Sequence, residues 1–309
     1  MQLSQKVQKI LGNYESDNPG TKSNLARILM NGQLSGTGKV VILPVDQGFE
    51  HGPARSFAPN PETYDPHYHW KLAIECGLSA FAAPLGMIES GATSFAGTIP
   101  TILKVNSANS LNMENDAPTQ AITASVSDAL RLGCSAIGYT IYPGSQAAYG
   151  MIEELRELSE EAKAVGLAVV VWSYPRGAYV SKAGETALDI IAYAAHIAAL
   201  AGAHIIKVKL PSQDIELEAA KETYSKHSIP NETLTKRVSH IVDSCFMGKR
   251  LVVFSGGSKK GLDGLYDEAR AIRDGGGNGS IIGRNTFQRP KAEAADMLNA
   301  IISIYKEGK

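Results

Sequence analysis

Two lysines lie close together in an otherwise apolar segment, AHIIKVKL, which contains Lys207 and Lys209. Because side chains alternate along a β-strand, both lysines would lie on one face of the strand. Two ammonium groups about 7 Å apart on a poorly solvated face lower each other's pKa, and burial lowers both further. A lysine that is partly neutral at about pH 7 is a nucleophile toward carbonyl carbon. The alternative is structural, with both lysines reaching the rim of the sheet or one pairing with a carboxylate.

The segments that would position these lysines repeat one pattern, in which an amphipathic helix is followed by a glycine and then by an apolar strand. A glycine just after a helix readily adopts the left-handed conformation that ends the last turn. Apolar runs without alternation are typical of parallel strands that are buried on both faces. About eight such strands are predicted. They are centred on residues 41–45, 80–83, 101–105, 136–140, 168–173, 205–209, 251–255 and 280–283.

Eight strand–helix units over roughly 250 residues fit a (β/α)8 barrel. We therefore predict an α/β fold, with a single TIM-barrel domain over residues 39–309 and a short N-terminal helical extension over residues 1–38 that crosses the bottom of the barrel. A doubly wound open sheet is less favoured, because no Gly-x-Gly-x-x-Gly motif follows the first strand. Residues 211–230 are polar and longer than a usual loop, which indicates a lid or a contact between subunits.

Composition and charge argue against several classes of protein. The 309 residues carry a net charge of −1 at pH 7 with charged residues mixed along the chain, so we expect no nucleic-acid-binding face. The N-terminus lacks the apolar core of a signal peptide, and histidine and glycine interrupt the most apolar stretch, residues 190–206. We therefore expect no membrane segment. Three scattered cysteines fit the reducing cytoplasm.

In a barrel of this kind the active site lies at the carboxyl ends of the strands. Polar residues and glycines are concentrated at several of these predicted ends. The candidates are Asp46, Gln47 and His51 after the first strand, Trp172, Tyr174 and Arg176 at the fifth, Lys207 and Lys209 in the sixth, Ser255, Gly256 and Gly257 at the seventh, and Gly283 and Arg284 at the eighth. Their concentration predicts an active site at this end of the barrel.

The last two strand ends predict a phosphate site. Barrels often bind phosphate with the loops after strands seven and eight. Gly256 and Gly257 would expose backbone N–H groups, and Arg284 offers a guanidinium for bidentate contact with phosphate oxygens. The alternative for the two glycines is a tight turn. Arg176 could contact a second anion.

Two further side chains could move protons or hold a charge. Tyr174 would lie beside a lysine ammonium or iminium, which lowers a phenol pKa and favours proton transfer, unless it is a structural core tyrosine. Asp46 could hold a lysine or act as an acid or base, unless it caps the following turn. His67 and His69 have His-x-His spacing but lie near a helix start without a partner at a strand end, so we predict no metal site.

From about residue 40 to residue 288 the chain resembles the archaeal-type class I fructose-bisphosphate aldolases. These belong to the lysine-dependent barrel aldolases, which include deoxyribose-phosphate aldolase. The resemblance rests on the segments DQGFEHGP, WSYPRG, IKVK, SGG and GRN, which begin at Asp46, Trp172, Ile206, Ser255 and Gly283. Archaeal members commonly have Asp-His-Gly where this chain has DQG, and a shorter loop after position 210.

The resemblance implies roles for the candidate residues. It implies that Lys207 rather than Lys209 forms a Schiff base, with Tyr174 transferring protons, Trp172 stacking and Asp46 as the first-strand aspartate. It puts a C1-phosphate site on Ser255, Gly256, Gly283 and Arg284, with Arg176 as a further substrate contact.

The implied reaction is the reversible cleavage of fructose 1,6-bisphosphate to dihydroxyacetone phosphate and glyceraldehyde 3-phosphate, in glycolysis or gluconeogenesis, with no metal and no cofactor. The expected partner is a small phosphorylated sugar, and the expected state is a cytoplasmic homo-oligomer. One alternative is another lysine-dependent lyase or transferase, such as a heptulosonate-type synthase or a thiolase acting on a phosphorylated signalling sugar. Others are a metal-free phosphosugar isomerase with Asp46 as base, and a non-catalytic phosphosugar-binding protein.

Overall fold

The chain forms a closed barrel of eight parallel strands with helices around it, and a computed structural model describes residues 2–111, 117–255 and 261–307. The prediction of a (β/α)8 barrel is therefore confirmed. The strands are β1 (Val40–Pro44), β2 (Ala80–Pro84), β3 (Thr101–Lys104), β4 (Asn106–Ser107), β5 (Ala121–Ile122), β6 (Ala136–Ile141), β7 (Ala168–Ser173), β8 (Ile205–Lys209), β9 (Leu251–Ser255) and β10 (Gly279–Ile281).

Helices alternate with most of the barrel strands. The α-helices are α1 (Gln5–Gly12), α2 (Pro19–Leu29), α3 (Gln47–His51), α4 (Pro53–Phe57), α5 (Pro66–Glu75), α6 (Leu85–Glu89), α7 (Val126–Arg131), α8 (Ala148–Ala164), α9 (Leu188–Leu200), α10 (Glu218–Lys226), α11 (Leu234–Ser244), α12 (Leu262–Asp274), α13 (Arg284–Phe287) and α14 (Lys291–Glu307). Short 3-10 helices cover Gly32–Leu34, Pro61–Tyr64 and Gly184–Thr186.

The barrel closes in the order β1-β10-β9-β8-β7-β6-β3-β2, with β2 returning to β1. Alternate residues of a strand face the interior and the surrounding helices. In β8, Ile205 packs in the interior, whereas Ile206 and Val208 pack in the outer layer between strands and helices. Lys207 and Lys209 therefore share the inner face, as the spacing predicts.

The N-terminal helices close the bottom of the barrel. Leu25 and Ile28 of α2 pack in the same cluster as the interior side chains of β1. The Tyr14 hydroxyl donates to the His204 carbonyl at 2.6 Å and accepts from the Leu251 N–H at 3.3 Å, at the starts of β8 and β9. The expectation of short helices across the bottom is confirmed.

Three further elements lie outside the eight barrel strands. Strands β4 and β5 form a small antiparallel sheet beside the barrel mouth, which the sequence analysis did not predict. The 211–230 segment is joined to α9 by Asp189, whose carboxylate accepts hydrogen bonds from the backbone N–H groups of Glu216 and Leu217 at 2.9 and 3.0 Å. The apolar side chains of α14 are buried against the barrel.

Within the described part of the chain, no helix is both long and apolar enough to cross a membrane.

Candidate active site

Lys207 is buried on the inner face of β8, with 4% of its surface exposed. The strand register sets it beside Trp172 of β7. Its Nζ atom lies 5.4 Å from the Trp172 ring centroid and 5.3 Å from that of Tyr174. None of the described residues forms a hydrogen bond or an ion pair with Lys207 Nζ. The three predicted residues therefore meet inside the barrel, with the amine against two aromatic faces.

Lys209 is nearer the barrel mouth and has a carboxylate partner. Its Nζ atom lies 2.7 Å from Glu185 Oε2, and Lys182 Nζ lies 3.0 Å from the other oxygen of Glu185. Burial lowers the pKa of Lys209, and Glu185 opposes that shift. The largest like charges acting on Lys209 are Arg176 and Lys182. Lys209 therefore pairs with a carboxylate, which is the structural alternative given for it in the sequence.

A third lysine, Lys104 at the end of β3, was not among the predicted site residues. It is 3% exposed, and its Nζ atom lies 5.6 Å from the Trp172 ring centroid. It donates to the Asn106 carbonyl at 2.6 Å, to Asn106 Oδ1 at 2.8 Å and to Gln120 Oε1 at 3.4 Å. The pKa of Lys104 is lowered to about 8, mainly by burial, with the charge of Asp46 opposing the shift and that of Lys207 contributing to it. The sequence signal that could have identified Lys104 is its position at the end of an apolar strand.

Asp46 follows β1 and faces the same interior. It occupies the N-cap position of α3, but its carboxylate makes no capping hydrogen bond, so the capping alternative is not supported. A small cavity of about 30 Å³ is lined by Asp46, Lys104 and Tyr174. The negative charge of Asp46 raises the pKa of Lys104 against the effect of burial. Asp46 thus lies where it can hold a buried ammonium and share protons with Tyr174.

Gln47, the next residue, borders the end of β10. A Cβ atom added at Gly283 would lie 2.8 Å from Gln47 Nε2 and 3.0 Å from the Pro44 carbonyl oxygen, so this close approach requires glycine. The buried Gln47 Oε1 has no hydrogen-bond partner among the described residues. The arrangement leaves an acceptor available beside the predicted phosphate site.

Arg176 meets a carboxylate that was not selected from the sequence. Its Nη1 atom lies 3.1 Å from Glu50 Oε1, and its guanidinium carbon lies 5.6 Å from the ring centroids of Tyr142 and Tyr174. Burial would raise the pKa of Glu50, but Arg176, His51 and Lys207 hold it below its usual value. The guanidinium predicted to bind a second anion is thus paired with an internal carboxylate.

A cavity of about 530 Å³ opens at this end of the barrel. It is lined by Glu50, His51, Arg55, Ala108, Asn109, Ser110, Ala117, Pro118, Thr119, Tyr142, Arg176, Gly177, Lys182 and Glu185. Burial lowers the pKa of His51, which Glu50 opposes and the nearby arginines reinforce. Cationic side chains on several sides make the cavity suited to an anionic ligand.

The predicted phosphate site is only partly described. Ser255 ends β9, and its hydroxyl donates to the Val208 carbonyl at 3.4 Å. Gly256 and Gly257 lie outside the described residues. Gly283 is at the β10–α13 junction and Arg284 is exposed, close enough to lower the pKa of His51. The site remains a prediction from its position after the last two strands.

The two histidines with His-x-His spacing point to backbone carbonyls. His67 Nε2 is 2.8 Å from the Ser90 carbonyl oxygen, and His69 Nε2 is 2.9 Å from that of Thr63. Both lie in α5, at the helix start expected from the sequence. Across residues 2–111, 117–255 and 261–307, no group of three or more His, Cys, Asp or Glu side chains is arranged to hold a metal ion.

Comparison with known proteins relates this chain to aldolases. Residues 40–289 match the family described as DeoC/LacD family aldolase. The chain is 35% identical to the fructose-bisphosphate aldolase class 1 of Thermoproteus tenax, over 88% of this chain and 91% of that protein. It is 33% identical to a Chlamydia muridarum protein named "Probable fructose-bisphosphate aldolase class 1", over 97% of this chain and 88% of that protein.

Solved structures agree with this relationship. An archaeal fructose-1,6-bisphosphate aldolase, with its catalytic lysine covalently bound to the carbinolamine intermediate of the substrate, has a TM-score of 0.73 and 34% identity to this chain. The similarity covers 87% of this chain and 94% of that one. The family match spans the whole barrel, and relatives more than 30% identical cover most of the chain. The chain therefore belongs to the DeoC/LacD aldolase family.

Proposed function

We propose that this chain is a class I fructose-bisphosphate aldolase that reversibly cleaves fructose 1,6-bisphosphate through a Schiff base on Lys207. The observation that carries the proposal is the place of Lys207, buried inside the barrel with Nζ 5.4 Å from the Trp172 ring and 5.3 Å from the Tyr174 ring. An amine without an ion-pair partner among the described residues is suited to attack a carbonyl. The names of the Thermoproteus tenax relative and the archaeal structure support the substrate.

The first step forms the covalent intermediate. The neutral amine of Lys207 adds to the C2 ketone carbon, and the carbonyl oxygen becomes the hydroxyl of a carbinolamine. Loss of water leaves an iminium, whose positive charge lies against the Trp172 and Tyr174 rings. The iminium then serves as the electron sink for the cleavage step.

Cleavage requires a base at the C4 hydroxyl. We assign this role to Tyr174, assisted by Asp46, which lines the same small cavity. Removal of the hydroxyl proton breaks the C3–C4 bond, its electron pair converts the iminium to an enamine, and glyceraldehyde 3-phosphate leaves. Protonation of C3 and hydrolysis by water release dihydroxyacetone phosphate and restore the free amine of Lys207.

Two anion-binding regions would orient the substrate. Ser255, Gly256, Gly257, Gly283 and Arg284 are proposed to hold the phosphate nearer the ketone, following the barrel preference for strands seven and eight. The other phosphate would enter the cavity of about 530 Å³, which Arg176 and His51 line. Gln47 would accept a hydrogen bond at its unpaired Oε1. Holding both ends of the substrate lowers the activation free energy of cleavage by an amount on the order of several kcal/mol.

The proposal includes a cytoplasmic, homo-oligomeric enzyme. The three cysteines are free and buried, which fits a reducing compartment. Helix α9 and the turn that follows α11 carry exposed apolar side chains, with Tyr193 59%, Leu200 67% and Met247 77% exposed. Contact between subunits would bury such a face. Sedimentation of the purified protein tests the assembly, and a monomer at all concentrations would contradict it.

Turnover on a panel of substrates tests the activity. We expect cleavage of fructose 1,6-bisphosphate by the wild-type chain and none by Lys207→Met, which keeps a side chain of similar length without the amine. The panel includes the substrates of a heptulosonate-type synthase, of a thiolase for a phosphorylated signalling sugar and of a phosphosugar isomerase. Faster turnover of any of these would replace the proposed substrate.

A further inference from the structure

Lys207 and Lys209 share one inner face of β8, and in the proposed function only Lys207 forms the Schiff base that leads to cleavage. The two side chains are about 7 Å apart along the strand. Lys209 is at the carboxyl end, nearer the mouth through which a substrate enters. A substrate ketone would therefore meet Lys209 before it reaches Lys207. Some feature of the site must therefore keep the amine of Lys209 unreactive.

We infer that Glu185 is a positioning residue that keeps Lys209 protonated and pinned, so that ketone substrates form an imine at Lys207 alone. The inference rests on the proposed function. Glu185 Oε2 lies 2.7 Å from Lys209 Nζ, with 12% of the Glu185 side chain and 22% of the Lys209 side chain exposed. A partly buried pair is screened less than a surface pair, so the carboxylate acts strongly on the proton of Lys209.

The charges around Lys209 make this carboxylate decisive. Burial favours the neutral amine, and so do the nearby cations Arg176 and Lys182. Glu185 is the opposing group, through its hydrogen bond and its charge. Without it, the largest remaining influences on Lys209, which are burial, Arg176 and Lys182, all favour the nucleophilic form.

The backbone holds Glu185 opposite Lys209. Glu185 lies in the 3-10 helix Gly184–Thr186, which joins directly to α9. The Ser212 N–H, just beyond β8, donates to the Thr186 carbonyl at 2.6 Å. The Glu185 N–H donates to the Ser181 carbonyl at 3.1 Å. The turn that carries the carboxylate is therefore tied to the end of the strand that carries the lysine.

Lys207 has a different environment. No carboxylate among the described residues lies within ion-pair distance of its Nζ atom, which instead contacts the faces of Trp172 and Tyr174. Tyr174 is the proposed base for cleavage, so an imine formed at Lys207 is beside the group that it needs. An imine formed at Lys209 would lack this arrangement and would be a dead-end adduct.

The test is the site of imine formation in Glu185→Gln. The neutral amine of Lys209 would add to the ketone carbon of dihydroxyacetone phosphate, lose water and give an imine, and hydride from added borohydride would reduce it to a stable secondary amine. Peptide mass mapping locates the adduct. Loss of one opposite charge at this distance shifts a pKa by about 1–3 units, so labelling of Lys209 should rise about tenfold or more.

Two further variants sharpen the comparison. Lys182→Gln removes the exposed partner of Glu185 and leaves the Lys209 pair intact, so the share of adduct on Lys209, measured against the adduct on Lys207, should stay as low as in the wild type. Glu185→Asp keeps a carboxylate on a shorter side chain and should give intermediate labelling of Lys209. If the Glu185→Gln variant does not fold, labelling of the Glu185→Asp variant provides the test.

The outcomes separate the inference from the proposed function. Labelling of Lys207 alone in both Glu185 variants would overturn the inference and leave the aldolase mechanism in place. Absence of an adduct on any lysine of the wild type would overturn the Schiff-base mechanism itself, whereas a wild-type adduct on Lys209 in place of Lys207 would overturn the inference. Equal labelling of Lys209 in the wild type and in Glu185→Gln would show that the carboxylate does not control the outer amine.

Discussion

Lys104 and Lys207 lie against the same indole ring, that of Trp172, with their Nζ atoms 5.6 and 5.4 Å from its centroid. They reach the ring from β3 and β8, which are not neighbours in the barrel. The pKa of Lys104 is lowered to about 8, mainly by burial, and the positive charge of Lys207 is part of this shift. The site thus holds two buried lysines whose charges are coupled.

Lys104→Met should raise stability. Burying the charged form of Lys104 costs about 3 kcal/mol at pH 7, given the fall of its pKa from 10.5 to about 8. Lys104→Met also leaves the Asn106 and Gln120 oxygens without this donor, which reduces the gain from removing the buried charge. We expect a net gain of about 1–2 kcal/mol in the free energy of unfolding. Denaturant unfolding measures it.

The gain from Lys104→Met should depend on pH. The unfolded chain holds the Lys104 proton up to about 10.5 and the folded chain up to about 8, so wild-type stability rises with pH between these values. The advantage of the variant is therefore largest below pH 8 and shrinks toward pH 10.5. Lys182→Met, at an exposed lysine, serves as the control. A difference that stays constant over this range would contradict the assignment of a low pKa to Lys104.

Tyr174→Phe should separate imine formation from cleavage. The variant keeps the ring against Lys207 but loses the hydroxyl, so kcat should fall by about 10²- to 10⁴-fold. The Lys207 adduct should still form under borohydride. Tyr142→Phe is the matched control, because Tyr142 also stacks on Arg176 but its hydroxyl accepts from Gln120 at 2.7 Å. Full turnover by Tyr174→Phe would remove the tyrosine from proton transfer.

Arg176→Lys should discriminate between substrates with one and two phosphates. A lysine can neither bind an anion in bidentate fashion nor stack on Tyr142 and Tyr174 as the guanidinium does. We expect KM for fructose 1,6-bisphosphate to rise about tenfold, a loss of about 1.4 kcal/mol. Binding of dihydroxyacetone phosphate should change little. Arg55→Lys, at the rim of the same cavity, is the control. Equal losses for both ligands would argue against a second anion site.

Much of this fold could be predicted because its signals are local. Each helix–glycine–strand unit is encoded within a short segment, and strand alternation alone puts Lys207 and Lys209 on one face. The partners of these charges could not be predicted in the same way. Glu50 is 126 residues from Arg176, and Glu185 is 24 residues from Lys209. Such pairs depend on which loops meet at the barrel mouth, which spacing along the chain does not specify.

Two other features show the same limit. The β4–β5 sheet has two residues in each strand, too short for alternation to be recognised. Lys104 shares a signal with Lys207, a lysine within an apolar strand, but it has no second lysine two positions away. Burial among Asn106, Gln120 and Trp172 is what distinguishes it in the folded chain.

The barrel bottom should be sensitive to acid through His204. Its Nδ1 atom accepts from the Val169 N–H at 2.8 Å and its Nε2 atom lies 2.7 Å from Asp17, so the ring is neutral with its proton on Nε2. Burial lowers the pKa of His204, although Asp17 opposes this. The unfolded chain therefore binds a proton first as pH falls below 6.5, and stability is lost.

We expect the melting temperature to fall between about pH 7 and about pH 5, with a weaker dependence in His204→Gln. Tyr14→Phe is the control. It removes the hydroxyl that joins the segment after α1 to the starts of β8 and β9, and should lower the melting temperature by a similar amount at both pH values. An unchanged acid response in His204→Gln would assign it to other groups.

Borohydride trapping shows whether Lys207 is the covalent nucleophile. The wild-type protein is incubated with fructose 1,6-bisphosphate, or with dihydroxyacetone phosphate, reduced with borohydride and mapped by peptide mass spectrometry. We predict one adduct, on Lys207. An adduct on Lys104 or Lys209 instead would keep the Schiff-base mechanism and move its site. Full cleavage activity with no adduct on any lysine would contradict the account.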